Sequence, residues 1–216
     1  MEAQCSAQVL ATGCEPPPSY ISAVQYDRTV IAYHGTHAAI ADAIIDGRAS
    51  MRESANPYDW LGRGVYLWEW GYERAVHWAV ARHGLDDAGV VGAVVQLGHC
   101  FDLMDVAFTR SLGDGAEHFV AAASAAGVTV PLNRGPDEDR GGRFFDCALI
   151  NWWLPMVEAS EGRRIQTVRC GFVEGDRIHA NAGIRARSHV QIAVRDPRCI
   201  VGVFRPTGYS SAASST

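Results

Sequence analysis

The sequence contains no lysine, because all 19 of its basic residues are arginine. This absence excludes three classes of mechanism that need a lysine: phosphate binding by a P-loop, ATP binding by a protein kinase, and Schiff-base catalysis. The 24 acidic residues outnumber the arginines and give a formal net charge of -5. The chain therefore lacks the broadly basic surface that is typical of nucleic-acid-binding proteins.

Cysteine is sparse, and no two cysteines are spaced as a Cys-x-x-Cys pair. The six cysteines are Cys5, Cys14, Cys100, Cys147, Cys170 and Cys199. Their spacing excludes a structural zinc site built from paired ligands, and their number is low for a disulfide scaffold of this length. We expect reduced thiols that pack as small hydrophobic side chains.

The sequence also lacks a secretory signal and a membrane span. Its N-terminus contains no basic segment followed by a long apolar core, and no apolar run approaches the length that a membrane-spanning helix needs. We therefore expect a cytoplasmic protein with no membrane partner.

A length of 216 residues and 48% hydrophobic content predict one main domain with a sizeable core. We expect an irregular N-terminal extension over residues 1–27, a domain over 28–207 and a disordered tail over 208–216. Short strands and helices in the first part are followed by strands in the last third, which predicts an α+β fold. No strand is followed by Gly-x-Gly-x-x-Gly, which argues against a Rossmann fold.

Periodicity and end signals predict the individual elements. The predicted helices run from Thr36 as N-cap to Asp46, from 72 to 83 with Gly84 as the stop, from 117 to 126, and from 145 to 154 with Pro155 as the stop. The predicted strands cover 30–33, 64–68, 90–97, 165–173, 190–194 and 200–204. The Gly- and Pro-containing segment 131–143 is expected to be the most mobile loop of the domain.

The first candidate site motif is His34-Gly35-Thr36, at the end of the first predicted strand. Glycine lets a ligand approach the backbone, and the neighbouring N–H groups and the imidazole can bind hydroxyl or amide groups. A histidine at a strand end is also often only solvated or packed.

The second motif is Gly62-Arg63-Gly64 followed by Tyr66. The two glycines predict a tight turn that delivers Tyr66 on a short strand. The aromatic residues of this region could form a stacking wall for a flat ligand, or an ordinary aromatic core cluster. They are Trp60, Tyr66, Trp68 and Trp70.

The third motif lies on the strand 190–194. His189, Gln191 and Ala193 alternate with apolar residues and therefore share one face of the strand. The polar pair is expected to project into a cleft, although the same pattern is ordinary for a half-exposed strand.

In their order and spacing, the three motifs resemble the ADP-ribosyltransferase superfamily, in its diphtheria-toxin-like and poly(ADP-ribose)-polymerase-like branch with a His–Tyr–Glu triad. His34-Gly35-Thr36 and Gly62-Arg63-Gly64-Val65-Tyr66 match the first two motifs of that branch. Gln191, Asp196 and Ile200 fall at the offsets of its third motif. The resemblance covers about residues 30–205 and implies a split pair of small β-sheets with peripheral helices.

The chain departs from this family at the third triad position, which is Gln191 in place of glutamate. A glutamine can accept a hydrogen bond from a ribose hydroxyl, but it cannot carry negative charge beside an oxocarbenium-like transition state. The resemblance therefore implies mono-ADP-ribosylation rather than polymer synthesis, or a module that only binds the nucleotide.

The resemblance implies NAD+ as a co-substrate, bound between the two sheets without a metal. His34 would bind the adenine-side ribose, the Gly35 backbone would pair with the nicotinamide amide, Tyr66 would stack on the nicotinamide ring, and Gln191 would hold the nicotinamide ribose. Thr36 and Gly64 would complete the cofactor site.

The resemblance places an acceptor-recognition or activating residue at His189. One of the acidic residues close to the motifs in sequence could supply the missing negative charge. These residues are Asp59, Glu69 and Glu174.

The expected function is an NAD+-dependent mono-ADP-ribosyltransferase, of the kind used as a toxin or defence effector against a macromolecule. The alternatives are an NAD+ glycohydrolase of the same fold and a non-catalytic module that binds NAD+ or ADP-ribose. Nine of the 19 arginines fall in the last 54 residues, around the segment 175–188. They could bind RNA, single-stranded DNA or an acidic protein, or they could serve only for solubility.

Overall fold

The computed structural model describes residues 26–135 and 141–207. The predicted tail and all but the last two residues of the predicted N-terminal extension lie outside these ranges, as do Cys5 and Cys14. The described residues form a mixed α+β fold with seven strands and four helices. The strands are β1 (Tyr26–His37), β2 (Val65–Glu69), β3 (Ala88–Gly98), β4 (Cys100–Asp102), β5 (Thr167–Phe172), β6 (His189–Val194) and β7 (Ile200–Phe204). The helices are α1 (Ala38–Ile45), α2 (Tyr72–His83), α3 (Val106–Ala125) and α4 (Phe144–Glu161).

The seven strands form one hydrogen-bonded sheet in the order β4-β5-β6-β2-β1-β3-β7. The two middle strands, β1 and β2, pair through only two residue pairs, Ala32 with Glu69 and Tyr33 with Trp68. By contrast, β1 pairs with β3 through ten residues of each strand. The predicted pair of separate small sheets is therefore one continuous sheet with a narrow junction between its two halves.

The two faces of β2 and β6 carry different residues. Side chains alternate along a strand, and directly opposed residues of antiparallel strands share a face. Trp68 is opposed to Gln191, so both lie with Tyr66 on one face, which we name the Tyr66 face. Leu67 and Glu69 lie on the other face, which we name the Glu69 face.

Each face is covered by its own apolar core. On the Glu69 face, strand residues from both halves of the sheet pack against each other: Val30, Ala32, Leu67, Val95 and Ile192 are all buried there. On the Tyr66 face, α3 and α4 contribute most of the core: Phe108, Phe119, Ile150, Trp153 and Leu154 pack with Val168 and Ala193 of the sheet. The sheet is thus buried on both sides, which fixes the positions of the side chains at its junction.

The helix predictions are confirmed for α2, which spans Tyr72–His83 and is followed by Gly84. The predicted N-cap Thr36 of the first helix is wrong. Strand β1 continues through Thr36, and His37 is the N-cap, with its Nδ1 accepting a hydrogen bond from the backbone N–H of Ala39 at 3.2 Å.

The predicted ends of the two long helices are also wrong. Helix α3 begins at Val106, capped by Asp105, well before the predicted start at 117. Helix α4 runs through Pro155 to Glu161. A proline inside a helix costs roughly 3 kcal/mol, and the buried side chains on both sides of it (Trp152, Trp153, Leu154 and Val157) offset that cost by packing in the core.

The strand predictions are confirmed at β7, whose bounds Ile200–Phe204 match, and at β6, which begins one residue earlier at His189. The short strand β4 is missing from the sequence-based prediction. The predicted loop 131–143 is described at both ends, where Arg134 and Gly142 form an isolated bridge.

The four described cysteines are unpaired thiols. Burial raises the pKa of Cys100 to about 12 and that of Cys147 to about 11. Within residues 26–135 and 141–207, no helix has both the length and the apolar character that crossing a membrane requires.

Candidate functional site

The junction between β1 and β2 is the first component of the site. The carbonyl of Ile31 accepts a hydrogen bond from the N–H of Trp70 at 3.0 Å, so the backbone groups of Ile31 point toward β2. Backbone groups alternate in direction along a strand, and those of Gly35 therefore also point toward β2. The pairing of β1 with β2 ends before Gly35, and the N–H and C=O of Gly35 therefore face the gap between the two strands.

His34 bridges this gap with its side chain. Its Nδ1 lies 2.8 Å from the carbonyl oxygen of Tyr66, which would otherwise be opposite Gly35 in the next ladder pair. A carbonyl only accepts, so Nδ1 carries the proton. Burial lowers the pKa of His34 more than this hydrogen bond raises it, which keeps the imidazole neutral and leaves Nε2 as an acceptor.

The other predicted residues of the cofactor site pack against other elements of the protein. A Cβ on Gly35 would lie 2.4 Å from the carbonyl oxygen of Ala75, so this glycine serves the packing of α2 on β1. Its Cα side is therefore closed to a ligand. Thr36 is buried opposite Gly89 of β3.

Gly64 likewise makes its contacts within the protein. It exchanges two backbone hydrogen bonds with Ser54, at 2.8 and 3.1 Å. A Cβ there would lie 3.1 Å from Ala193 of β6. Both backbone groups of Gly64 are thus already bonded within the protein.

Tyr66 is held by the Gly-Arg-Gly turn, as the sequence predicts. Its hydroxyl donates to the carbonyl of Gly62 at 2.6 Å and accepts from the N–H of Leu61 at 2.8 Å. Burial raises the pKa of Tyr66, so the phenol stays protonated at physiological pH. With the hydroxyl occupied, the ring itself is the part of Tyr66 that is available to a ligand.

Gln191 lies next to Tyr66 as its diagonal neighbour across β2 and β6. The residue is 8% exposed. Its Oε1 is buried and has no hydrogen-bond partner among the described residues. Burying an unpaired amide oxygen costs about 1–3 kcal/mol, so a polar ligand at this atom would recover that energy.

His189, two residues before Gln191, projects from the same face. Its Nδ1 donates to the carbonyl of Arg187 at 2.7 Å and lies 3.5 Å from Oε2 of Glu174. Its Nε2 is buried and without a partner among the described residues. Burial lowers the pKa of His189, which makes the imidazole a neutral group whose Nε2 can accept a proton.

Aromatic rings surround this imidazole. Trp60 stacks on His189 with centroids 5.9 Å apart, and Phe172 lies against it at 5.7 Å. The guanidinium of Arg143 lies 4.7 Å from the ring centroid of Trp60 and 5.0 Å from that of Phe172. The indole N–H of Trp60 donates to the carbonyl of Gly141 at 2.8 Å, which fixes the ring.

Glu174 is the acidic residue that the structure places at this site. Arg74 of α2 binds both of its carboxylate oxygens, at 2.9 and 2.7 Å. The same guanidinium lies 5.5 Å from the ring centroid of Trp68, next to Gln191. The carboxylate is thus close to the site, but its charge is balanced by Arg74.

The other two acidic candidates bind partners of their own. Glu69 points to the opposite face of β2 and binds Arg169 at 2.6 Å, so it cannot replace the missing carboxylate beside Tyr66. Asp59 accepts a hydrogen bond from the N–H of Asn56 at 2.8 Å and organises the loop before the Gly-Arg-Gly turn.

Buried side-chain atoms without a hydrogen-bond partner are concentrated at this site. Six such atoms occur in the described part of the chain, and five of them belong to it. They are the N–H groups of Trp68 Nε1, Arg74 Nε and Arg143 Nε and the acceptors His189 Nε2 and Gln191 Oε1. We name these five side chains the unpartnered cluster. Native proteins bury few such atoms without a partner, so a group of five marks a polar site that ordered water or a polar ligand would fill.

Sequence reasoning missed Arg74, Arg143 and Phe172. Each reaches the site from a different element, and no local motif marks any of them. The predicted aromatic wall is divided: Trp60 lies at His189, whereas Trp70 is 69% exposed and has a φ of 54°. Exposure and a positive φ thus separate Trp70 from the buried rings.

The described residues contain no group of three or more His, Cys, Asp or Glu side chains that could hold a metal ion. Searches with protein-family models, against curated proteins and against solved structures each found no match.

Proposed function

We propose that this protein is an NAD+-dependent mono-ADP-ribosyltransferase. The observation that carries the proposal is the buried, unpartnered Oε1 of Gln191 beside the ring of Tyr66, at the position where the resembled family has its triad glutamate. The narrow junction of the sheet supplies the rest of a nucleotide site, with His34 and Gly35 on its other side.

The junction offers the groups that a nicotinamide needs. A primary amide has N–H donors and one carbonyl acceptor, and the C=O and N–H of Gly35 face the gap together. The ring of Tyr66 offers a π face to the positively charged pyridinium. His34, neutral and with Nδ1 bonded to Tyr66, has Nε2 left to accept a ribose hydroxyl.

Gln191 would act as the bond to nicotinamide breaks. The ribose C1′–N bond cleaves, nicotinamide leaves as a neutral molecule with the bonding electron pair, and positive charge develops on the ribose. The Oε1 of Gln191 carries the negative end of a fixed amide dipole in a site with little water, where such a dipole stabilises developing positive charge. It lacks the full charge of a carboxylate, in line with single transfer rather than polymer growth.

His189 would receive the proton of the acceptor. Its Nδ1–H is fixed on the Arg187 carbonyl, so the lone pair of Nε2 is the free basic position. Water in the acceptor position would give NAD+ hydrolysis instead, and no turnover at all would leave a module that only binds NAD+.

The test is incubation of the full chain with NAD+ labelled in its adenylate half, in a cell lysate. We expect free nicotinamide together with label on a macromolecule. Gln191→Ala should abolish both, and Gln96→Ala on β3, which changes another strand glutamine outside the site, should leave both unchanged. Nicotinamide without labelled macromolecule indicates a glycohydrolase, and a thermal shift with NAD+ but no nicotinamide indicates a binding module.

A further inference from the structure

We propose that the acceptor of this transferase is a nucleobase of single-stranded nucleic acid, which stacks on Trp60 beside His189. This inference rests on the proposed function, because it concerns the second substrate of the same site. It follows from the charge, the shape and the hydrogen-bonding groups of the unpartnered cluster.

The charge around His189 disfavours a cationic acceptor. The guanidinium groups of Arg74 and Arg143 both lie at the site, and each is paired with one carboxylate: Arg74 with Glu174 at 2.7 Å and Arg143 with Asp146 at 3.1 Å. Both carboxylates are thus already engaged by an arginine. A lysine or arginine side chain of a target protein would meet like charge in a poorly solvated place. A carboxylate acceptor fits the charge but carries no proton at neutral pH, so Nε2 of His189 would have no proton to accept.

The shape of the site favours a flat acceptor. The imidazole and the indole of Trp60 are nearly parallel, with an interplanar angle of 28°, and the guanidinium of Arg143 lies over the indole. A planar base would stack on the face of the indole that Arg143 now covers, with the guanidinium moving to the edge of the base, since bases stack on indole rings and guanidinium planes alike. Phe172 closes one side of this position.

The hydrogen-bonding groups favour a base over a hydroxyl. A serine or threonine hydroxyl needs one acceptor and one or two donors as partners, whereas the cluster presents three N–H groups and two acceptors. The edges of nucleobases carry several ring nitrogens, carbonyls and amino groups side by side, which match such a mixed set.

The segment that leads into β6 provides contacts for phosphates. Arg177 and Arg185 form a backbone bridge, and each anchors its guanidinium on a carbonyl of the same segment, Ala182 at 2.9 Å and Gly175 at 3.1 Å. Arg187 follows, with its side chain 51% exposed and its guanidinium 3.6 Å from Oε1 of Glu174. This places three arginines on the approach to His189 although the whole chain is acidic, and arginines of this kind bind the phosphates of a nucleic-acid backbone.

The transfer step is balanced with NAD+ as the co-reactant. An amino or ring N–H nitrogen of the base forms the new bond to C1′ of the ribose. The C1′–nicotinamide bond breaks, nicotinamide leaves with the electron pair, and the nitrogen gives its proton to Nε2 of His189. The products are ADP-ribosylated base, nicotinamide and a proton that returns to water.

The test uses the full chain, labelled NAD+ and short oligonucleotides, each with a single type of base, as single-stranded RNA, single-stranded DNA and duplex; total cell protein is a separate arm. We expect label on single strands of one base type, with duplexes labelled at least about tenfold more slowly. Label on protein with none on any oligonucleotide overturns this inference and leaves the proposed function intact. Absence of nicotinamide in every arm overturns both.

Variants separate stacking from proton transfer. Trp60→Ala should raise the KM for the oligonucleotide about tenfold, and Trp60→Phe should restore most of it. His189→Asn should lower transfer by about a hundredfold while the affinity for NAD+ changes less than twofold. Arg110→Gln, which removes an exposed charge on α3, is the control and should change neither. An unchanged KM in Trp60→Ala would overturn the assignment of the stacking position.

Discussion

Buried polar side chains differ in their hydrogen bonding between the two faces of the sheet. On the Glu69 face, Arg169 is 7% exposed and binds both Glu69, at 2.6 Å, and Asp102, at 3.1 Å. On the Tyr66 face, Gln191 is buried to a similar degree, and its Oε1 has no partner among the described residues. Burial alone therefore does not explain the unpaired atoms.

The difference shows which face the fold uses for its own stability. A buried charge that is paired and hydrogen-bonded is compatible with a stable core, whereas an unpaired polar atom only destabilises. Proteins retain such destabilising groups at sites where a ligand uses them. We therefore interpret the Glu69 face as structural, apart from His34 at the junction, and the Tyr66 face as functional.

The largest effect is expected from Arg169→Met. Removing the guanidinium leaves the carboxylate of Asp102 buried without its charged partner and leaves Glu69 with only Arg28, at 3.0 Å, which costs about 3–5 kcal/mol. Urea denaturation should show this loss in the free energy of unfolding. A loss below about 1 kcal/mol would mean that the charges on the Glu69 face are not held by Arg169.

The opposite behaviour is expected from Gln191→Met. The substitution keeps the side chain's length and removes a buried oxygen without a partner, so the free energy of unfolding should stay the same or rise by about 1 kcal/mol. The same urea titration measures it. A clear loss of stability would show that Gln191 supports the fold, as Arg169 does.

A third comparison separates the ring of Tyr66 from its hydroxyl. Tyr66→Ala should remove most of the thermal stabilisation by NAD+, because the stacking face is gone. Tyr66→Phe should keep most of it and cost about 1–2 kcal/mol of stability, since only the bonds to Leu61 and Gly62 are lost. Equal NAD+ shifts in all three proteins would contradict a stacking role for Tyr66.

The smallest effect concerns pH. Burial lowers the pKa values of His34 and His189 below the usual 6.5 in the folded protein. Below pH 6.5 the unfolded chain therefore binds more protons than the folded one, and stability should fall as the pH drops from 7 toward 5. His189→Asn should flatten this part of the profile of melting temperature against pH. An unchanged slope would mean that His189 is charged in the folded protein.

Local signals in the sequence predicted much of the fold. The bounds of α2 follow from its apolar face and from Gly84, and both are confirmed. The sequence-based prediction began α3 too late because the helix contains two glycines, Gly113 and Gly115. A Cβ on Gly115 would lie 2.5 Å from the ring of Trp153, so this glycine serves helix packing rather than helix termination. Tertiary contacts of that kind cannot be seen from spacing.

The site was only partly predictable, because strand alternation can be read from the sequence and contacts between distant elements cannot. Alternation along β2 already separates Glu69 from Tyr66 and Trp68, so its place on the other face could have been inferred. The contacts of Arg74 and Arg143 could not, because they depend on how α2 and the start of α4 approach the sheet. The gap beside Gly35 likewise depends on where the pairing of β1 with β2 stops.

The central claim, that the unpartnered cluster on the Tyr66 face serves turnover of NAD+, is tested most directly by nicotinamide release per folded molecule. The wild-type protein and Gln191→Met are compared at the same temperature, with the folded fraction taken from their unfolding curves. We predict release by the wild type and a rate at least about a hundredfold lower in the variant, at equal or greater stability. Equal rates in the two proteins, or no release by the wild type, would contradict the claim.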